Sequence, residues 1–310
     1  MAKCLVTGGA GFVGSNLVDE LIKKGHKVAV IDNLSTGRKE YLNQKAKFYK
    51  FDVGSKKVEK IFKAEKPDFV FHLAAQIDVR KSVADPVFDN KVNALGSINI
   101  FSACAKSKVK KIIFISTGGA MYGDTVRPAG EKTLPAPDSP YAVHKLAAEK
   151  YLEIFSKLYG LDYIILRPAN IYGPRQYKGG EGAVIAVFTY NASSNKESII
   201  YGDGRQTRDF VYVGDVVSAC LKATGKGRRG VINISSGRET DLFALIKEIE
   251  KVTRKKMEFA YRKARPGEVR RSVLDNSLAK KVLGWEPKIS LEEGIKKTID
   301  WLNKKVCQKY

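Results

Sequence analysis

Thr7-Gly8-Gly9-Ala10-Gly11-Phe12-Val13-Gly14 stands between a short apolar strand, Lys3 to Thr7, and a helix predicted to run to about Lys24. Gly8, Gly11 and Gly14 have the spacing of a dinucleotide loop. One glycine allows a tight turn, one lets backbone approach a pyrophosphate, and one brings helix and strand into close contact. Leu17, Val18, Leu21 and Ile22 form the helix's inner face. Its first turn, with Phe12 and Val13, offers unpaired amides and a partial positive charge to phosphates. A strand–loop–helix of this kind leads back to a parallel neighbour, which commits the chain to an α/β sheet.

The next strand, Lys27 to Ile31, ends at Asp32. A carboxylate about 20 residues past the loop hydrogen-bonds a ribose diol and repels a 2′-phosphate, which favours NAD over NADP. Asn33-Leu34-Ser35-Thr36-Gly37 reads as a polar loop beside the adenosine. Lys47 to Phe51 is a third strand ending at Asp52 and Val53; Asp52 either reaches the adenine or forms a turn. Asp68 to His72 is a fourth, and the small residues of Leu73-Ala74-Ala75-Gln76 let backbone approach a ligand. One long helix from Val87 to Lys106, a fifth strand Lys111 to Ile115 and a sixth from Tyr163 to Arg167 complete a regular alternation. It predicts a doubly wound parallel sheet, covered on both faces. The first 168 residues are expected to form this cofactor-binding domain. After Pro168 the pattern breaks into glycine-rich sequence, so 169–310 is expected to be a smaller α/β substrate-binding domain. Strand-like segments predict a return to the main sheet around 209–236.

Ser139-Pro140-Tyr141-Ala142-Val143-His144-Lys145 opens a helix in which Pro140 suits the first position. Tyr141 and Lys145, four apart, share a face. An ammonium beside a phenol favours the phenolate, so the pair is expected to lower the Tyr141 pKa and make it an acid or base. Ser116 and Thr117 place hydroxyls at the carboxyl end of the fifth strand, where chemistry tends to sit in such sheets.

The formal charge is +22 over 310 residues, with lysines spread over most helices rather than clustered with aromatics. This pattern reads as a solvated surface and not as a nucleic-acid site. Cys4, Cys104, Cys220 and Cys307 lie far apart, as do three histidines, so no metal site is expected. No apolar run reaches the roughly 20 residues that span a bilayer, and no signal-peptide pattern opens the chain, so a cytoplasmic address is expected.

With the glycine loop, Asp32-Asn33-Leu34, His72-Leu73-Ala74-Ala75, Tyr141-x-x-x-Lys145 and Arg208-Asp209-Phe210-Val211-Tyr212-Val213 in this order, the chain resembles the extended short-chain dehydrogenase/reductase family. Within it, the likeness is to the nucleotide-sugar 4-epimerases. The resemblance implies inversion at sugar C4, interconverting UDP-glucose and UDP-galactose through a 4-keto sugar, with tightly bound NAD as the transient hydride acceptor. Tyr141 would be the base, and Lys145 would lower its pKa and hold the nicotinamide ribose. The family's usual hydroxyl falls at Gly118, so Thr117, with Ser116 second, is expected to replace it. The family's dehydratases and decarboxylases carry acids where Gly119 and Ala120 stand. Asn170 and Arg208 match residues near the diphosphate, Ile199 and Tyr201 the pair around the uracil, and Arg265 and Glu268 an arm to the phosphates and ribose. Ser272 matches a gate on the sugar 2-substituent; its small size suggests that UDP-GlcNAc and UDP-GalNAc fit. A homodimer through the helices Val87–Lys106 and Tyr141–Tyr159 is implied. Competing readings are an epimerase of a uronic-acid nucleotide sugar and a non-catalytic NAD-binding regulator.

Overall fold

The computed structural model describes residues 1–176, 183–225, 229–264 and 269–307. Its strands are β1 (Lys3–Thr7), β2 (Lys27–Asp32), β3 (Lys47–Lys50), β4 (Phe69–His72), β5 (Lys111–Ile115), β6 (Tyr163–Pro168), β7 (Asn170–Tyr172), β8 (Ser198–Tyr201), β9 (Thr207–Tyr212), β10 (Gly230–Ile234), β11 (Glu239–Asp241), β12 (Phe259–Arg262) and β13 (Arg271–Ser272). A seven-stranded parallel sheet runs in the order β10-β6-β5-β4-β1-β2-β3. Its inner strands are near-continuous apolar runs because both faces are buried. The strand order reverses between β1 and β4, which is where ligands bind in sheets of this type.

Side chains that alternate along each strand divide the core in two. Cys4 and Val6 of β1 join a cluster with Leu17, Leu21, Val216 and Trp285, contributed by α1 (Phe12–Lys23), α8 (Val213–Lys222), α10 (Ser277–Leu283) and the segment after α10. Leu5 turns to the opposite face. There it meets α2 (Val58–Glu65), α5 (Gly96–Lys106) and α6 (Pro140–Tyr159) through residues such as Phe62, Phe101 and Leu152. A third cluster around Tyr172, Phe188, Leu245 and Ile295 joins β7–β9 to α7 (Val184–Ser193), α9 (Leu242–Thr253) and α11 (Leu291–Cys307).

Two expectations are revised. The return over 209–236 divides: β10 pairs with β6 in the large sheet, but β9 pairs with β7, β11 and β13 in a second sheet. Only the second half of β9, Phe210-Val211-Tyr212, is apolar, and that short run by itself does not distinguish the two sheets. The single helix Val87–Lys106 is α4 (Pro86–Asn90), one π turn (Lys91–Leu95) and α5, preceded by a short α3 (Val79–Ala84). Such a turn re-aims side chains within a helix and is frequent at functional sites. The helix α6 begins and ends as its sequence dictates. The Ser139 hydroxyl accepts the Ala142 amide at 3.4 Å, Pro140 follows, and Gly160 closes it at φ 69°. Among the described residues no helix is long and apolar enough to cross a membrane.

Candidate active site

The glycine loop is built from backbone in close contact. Gly8 (φ 72°) lies so near the loop after β4 that a Cβ there would sit 2.7 Å from the Ala74 amide. A Cβ on Gly14 would lie 2.1 Å from the Gly8 carbonyl, so only glycine lets α1 start this close to β1. Gly11 caps α1 with no side-chain bond, which leaves the first-turn amides of Phe12 and Val13 facing outward from the helix end. Asp32, only 7% exposed, accepts the Ala10 amide at 2.9 Å and the Leu34 amide at 2.8 Å. Burial raises its pKa while these two amides pull it down. Gly37 packs against its carboxylate, and Ser35 and Thr36 are exposed beyond it. This cradle, with a buried carboxylate at its rim, fits a dinucleotide with a free ribose diol.

Some residues of the expected cofactor set are committed elsewhere. Asp52 accepts the Gly54 amide and the Asn33 side chain, each at 2.8 Å, so its carboxylate ties two loops together. Val53 is buried against Gly96. Leu73, Ala74 and Ala75 are half-buried; the Ala74 amide donates to the Thr7 hydroxyl at 3.2 Å, and that hydroxyl meets His72 Nδ1 at 2.7 Å. Burial holds His72 neutral, at about 3. Gln76 is a loop clamp. Its side-chain nitrogen donates to the Asp78 carbonyl and to Asp89, and its main chain pairs with Asn93 on both sides.

Tyr141 and Lys145 project from the first turns of α6 toward the end of β5. Thr117 lies near enough to the Tyr141 phenol to favour its ionised form. Thr117 Oγ1 also accepts the Ala120 amide at 3.3 Å. Ser116, one residue earlier, has a buried hydroxyl with no partner. Lys145 Nζ donates to the Ile115 carbonyl at 2.6 Å and lies 4.2 Å over the Phe114 ring. The expected lowering of the Tyr141 pKa is absent here. Burial pushes it up to about 12, Thr117 pulls it down and Asp89 adds to the rise. Burial also takes Lys145 down to about 7, against Glu149 and Asp89. Desolvation disfavours the charged form of both groups and is the largest influence on each.

The departure at Gly118 has a steric reason. A Cβ at 118 would meet Leu274 Cδ1 at 2.4 Å and the Arg167 and Pro168 carbonyls at about 3 Å. The position points into packed protein, so Thr117 is the hydroxyl of this turn that meets the phenol.

The second sheet gathers Asn170 (β7), Arg208 (β9) and Ser272 (β13), with Ser272 directly opposite Arg208. Asn170 Oδ1 lies 3.0 Å from the place a Gly119 Cβ would take, which brings β7 against the catalytic turn. Arg208 donates to the Thr207 carbonyl, and Ser272 is buried. Ile199 and Tyr201 lie on β8, which pairs with β12 away from that sheet; Ile199 is exposed and Tyr201 half-buried. Arg265 and Glu268 fall outside the described residues.

Sequence reasoning missed a buried chain behind Lys145. Glu149, four residues on along α6, receives a two-pronged bond from Arg167 at 2.9 and 2.5 Å, and Arg167 also donates to Tyr122 at 2.7 Å. Burial would pull the Arg167 pKa down, but Glu149 holds it above its ordinary value. A glutamate on the inner face of a helix, otherwise flanked by Ala148 and Leu152, was the available signal.

The model of the NAD dependent epimerase/dehydratase family matches residues 4–235. The chain belongs to that family. It is 44% identical to a putative UDP-glucose 4-epimerase of Methanocaldococcus jannaschii, over 96% of this chain and 97% of that one. The solved UDP-glucose 4-epimerase of Thermotoga maritima with UDP-glucose superposes with TM-score 0.96 at 48% identity, covering 98% of this chain and 99% of that one. The Thermus thermophilus UDP-glucose 4-epimerase complex with NAD gives 0.93 at 39% identity, covering 97% and 99%.

Two outcomes follow for this site. Gly118→Ser is expected to destabilise the fold by about 1–3 kcal/mol in chemical denaturation, through overpacking at Leu274; unchanged stability would show that the position opens to the site. Above about pH 7 the unfolded chain keeps a proton on Lys145 that the folded chain has lost. Stability therefore rises with pH through this group, towards its ordinary value of 10.5. Lys145→Met is expected to be more stable than wild type at about pH 6, with the gap narrowing by about pH 9 in denaturant titrations.

Proposed function

We propose that the chain interconverts UDP-glucose and UDP-galactose by inverting sugar C4 through a 4-keto intermediate. The observation that carries this reading is the buried group of Tyr141, Thr117 and Lys145 at the end of β5, on the same carboxyl edge of the parallel sheet as the glycine loop after β1 and Asp32 at the end of β2. Glycine and alanine at 119 and 120 leave that turn without the acid that eliminating or decarboxylating relatives use, and inversion needs none.

Bound NAD supplies the reversible two-electron acceptor that lets C4 be oxidised and reduced again with no second substrate. Gly8, Gly11 and Gly14 cradle its diphosphate, with the amides of Phe12 and Val13 as donors, and Asp32 takes its ribose hydroxyls and excludes a 2′-phosphate. Tyr141 is neutral in the resting protein and becomes a base only when positive charge is brought beside it, which favours the phenolate. It then takes the O4 proton and later returns it, while Thr117 orients O4 and the Ile115 carbonyl fixes Lys145. Asn170, Arg208, Ile199 and Tyr201 hold the nucleotide half while the keto sugar turns over. The guanidinium of Arg208 matches a phosphate in shape and charge. Ser272 leaves room at the sugar 2-position, so UDP-GlcNAc and UDP-GalNAc are accepted as well.

The working form is a homodimer. Val83, Val87 and Leu95 expose apolar side chains beside Val143, Tyr151, Ile154, Leu158 and Tyr159 of α6, on helices that pack side by side. Apolar surface of this kind marks an interaction face. Three buried free cysteines, Cys4, Cys104 and Cys220, suit a reducing cytoplasm.

Wild type is expected to equilibrate UDP-glucose with UDP-galactose without added cofactor, and Tyr141→Phe to lose at least about a hundredfold in kcat. Bound NAD with no turnover of either sugar would remove the substrate assignment, and no turnover of the N-acetylated pair would remove the Ser272 reading. Leu158, 68% exposed, is expected to tolerate Glu without unfolding, yet to shift the protein to monomer in sedimentation velocity. A dimer that persists would place the interface elsewhere.

A further inference from the structure

Asp89, on α4, has no exposed surface. One carboxylate oxygen accepts from Gln76 Nε2 at 2.8 Å and from Asn93 Nδ2 at 3.0 Å. The other meets His144 Nδ1 at 2.6 Å. These partners lie on three different pieces of the site. Gln76 closes the loop after β4, whose Ala74 amide lies against Gly8; Asn93 sits in the π turn; His144 lies between Tyr141 and Lys145 on α6. We propose that Asp89 and His144 form a positioning pair that ties the catalytic helix to the cofactor loop and places a fixed negative charge beside Tyr141 and Lys145.

The geometry makes this more than a packing contact. The main chain of Gln76 is held on both sides by Asn93, and Asn93 is held by Asp89, so the loop's position follows from the carboxylate. The bond from Asp89 to α6 falls on the residue next to Lys145, so a shift of either element is passed to the site. Asp89 raises the pKa of both Tyr141 and Lys145. Glu149 on α6, paired with Arg167 of β6, also raises the Lys145 pKa, and Lys145 in turn lowers that of His72 on β4. Asp89 is the carboxylate that acts on Lys145 and Tyr141 together.

The proposal rests on the loop after β4 being a cofactor loop, and its test separates that from the sugar assignment. Asp89→Asn keeps the shape: its oxygen can accept from Gln76 and Asn93, and its nitrogen can donate to the other tautomer of His144. Removing the charge favours the phenolate, so the acid limb of kcat/KM is expected to move down by about one pH unit. A merely structural role would lower the melting temperature and leave that limb in place. His144→Leu breaks a charge-assisted bond and is expected to weaken NAD binding about tenfold, read by nucleotide titration of the stripped protein, with recovery in His144→Gln. This arm needs no turnover and stands even if the sugar assignment falls. An acid limb unmoved in Asp89→Asn, or NAD affinity unchanged in His144→Leu, overturns the proposal.

Discussion

A lysine amine 2% exposed, at the carboxyl end of β5, is the constraint around which this molecule is arranged. An isolated charge in that place would neutralise itself, since desolvation exceeds what one hydrogen bond returns. A carbonyl, an aromatic face and two carboxylates, from Ile115, Phe114, Glu149 and Asp89, offset part of that cost, and the amine still settles at about 7. Each carboxylate is itself buried and needs partners of its own. Glu149 takes Arg167, Arg167 takes Tyr122, and Tyr122 donates to Asn233 on β10, whose side chain reaches the Ala129 and Asp275 carbonyls. One buried charge thus recruits a polar chain across α6, β6 and β10 to the segment that leads out of β13.

That chain gives the late return of β10 a purpose. Asn233 sits on a strand contributed between β9 and β11 of the second sheet, yet it closes a network that begins at the catalytic helix. Trp285, buried beside α8 and donating to the Asp215 carbonyl at 2.9 Å, fastens the segment after α10 to the same face. The buried Asp209 of β9, which accepts the Ser236 and Gly237 amides just after β10, ties the small sheet to the large one by hydrogen bonds. Such bonds have narrow geometry, which suits a site assembled from both layers.

The surface charge follows another logic. Most described ion pairs are exposed or partly so, among them Lys23–Glu20, Lys251–Glu292 and Arg270–Asp203. Each contributes little to stability on its own. The excess of lysine sets the long-range field, which draws polyanions toward the molecule. The close work at the site is done by buried groups whose charge is matched locally.

The sequence by itself determined the local elements and their chemistry: the glycine loop, Asp32 at a strand end, the Ser139–Pro140 start of α6, and Tyr141 and Lys145 on one face. Spacing, capping and periodicity act over a few residues, so they can be read from the chain directly. Its motifs also carried the likeness that the family match and the superposed epimerases support. Tertiary structure alone decided the rest. It sent β9 to the second sheet, aimed position 118 at Leu274, committed Asp52 to Asn33, and brought Asp89 to His144 across 55 residues of chain. It also reversed the expected pKa shift of Tyr141, because burial depends on everything packed around a residue, whereas helical spacing fixes only its nearest neighbours.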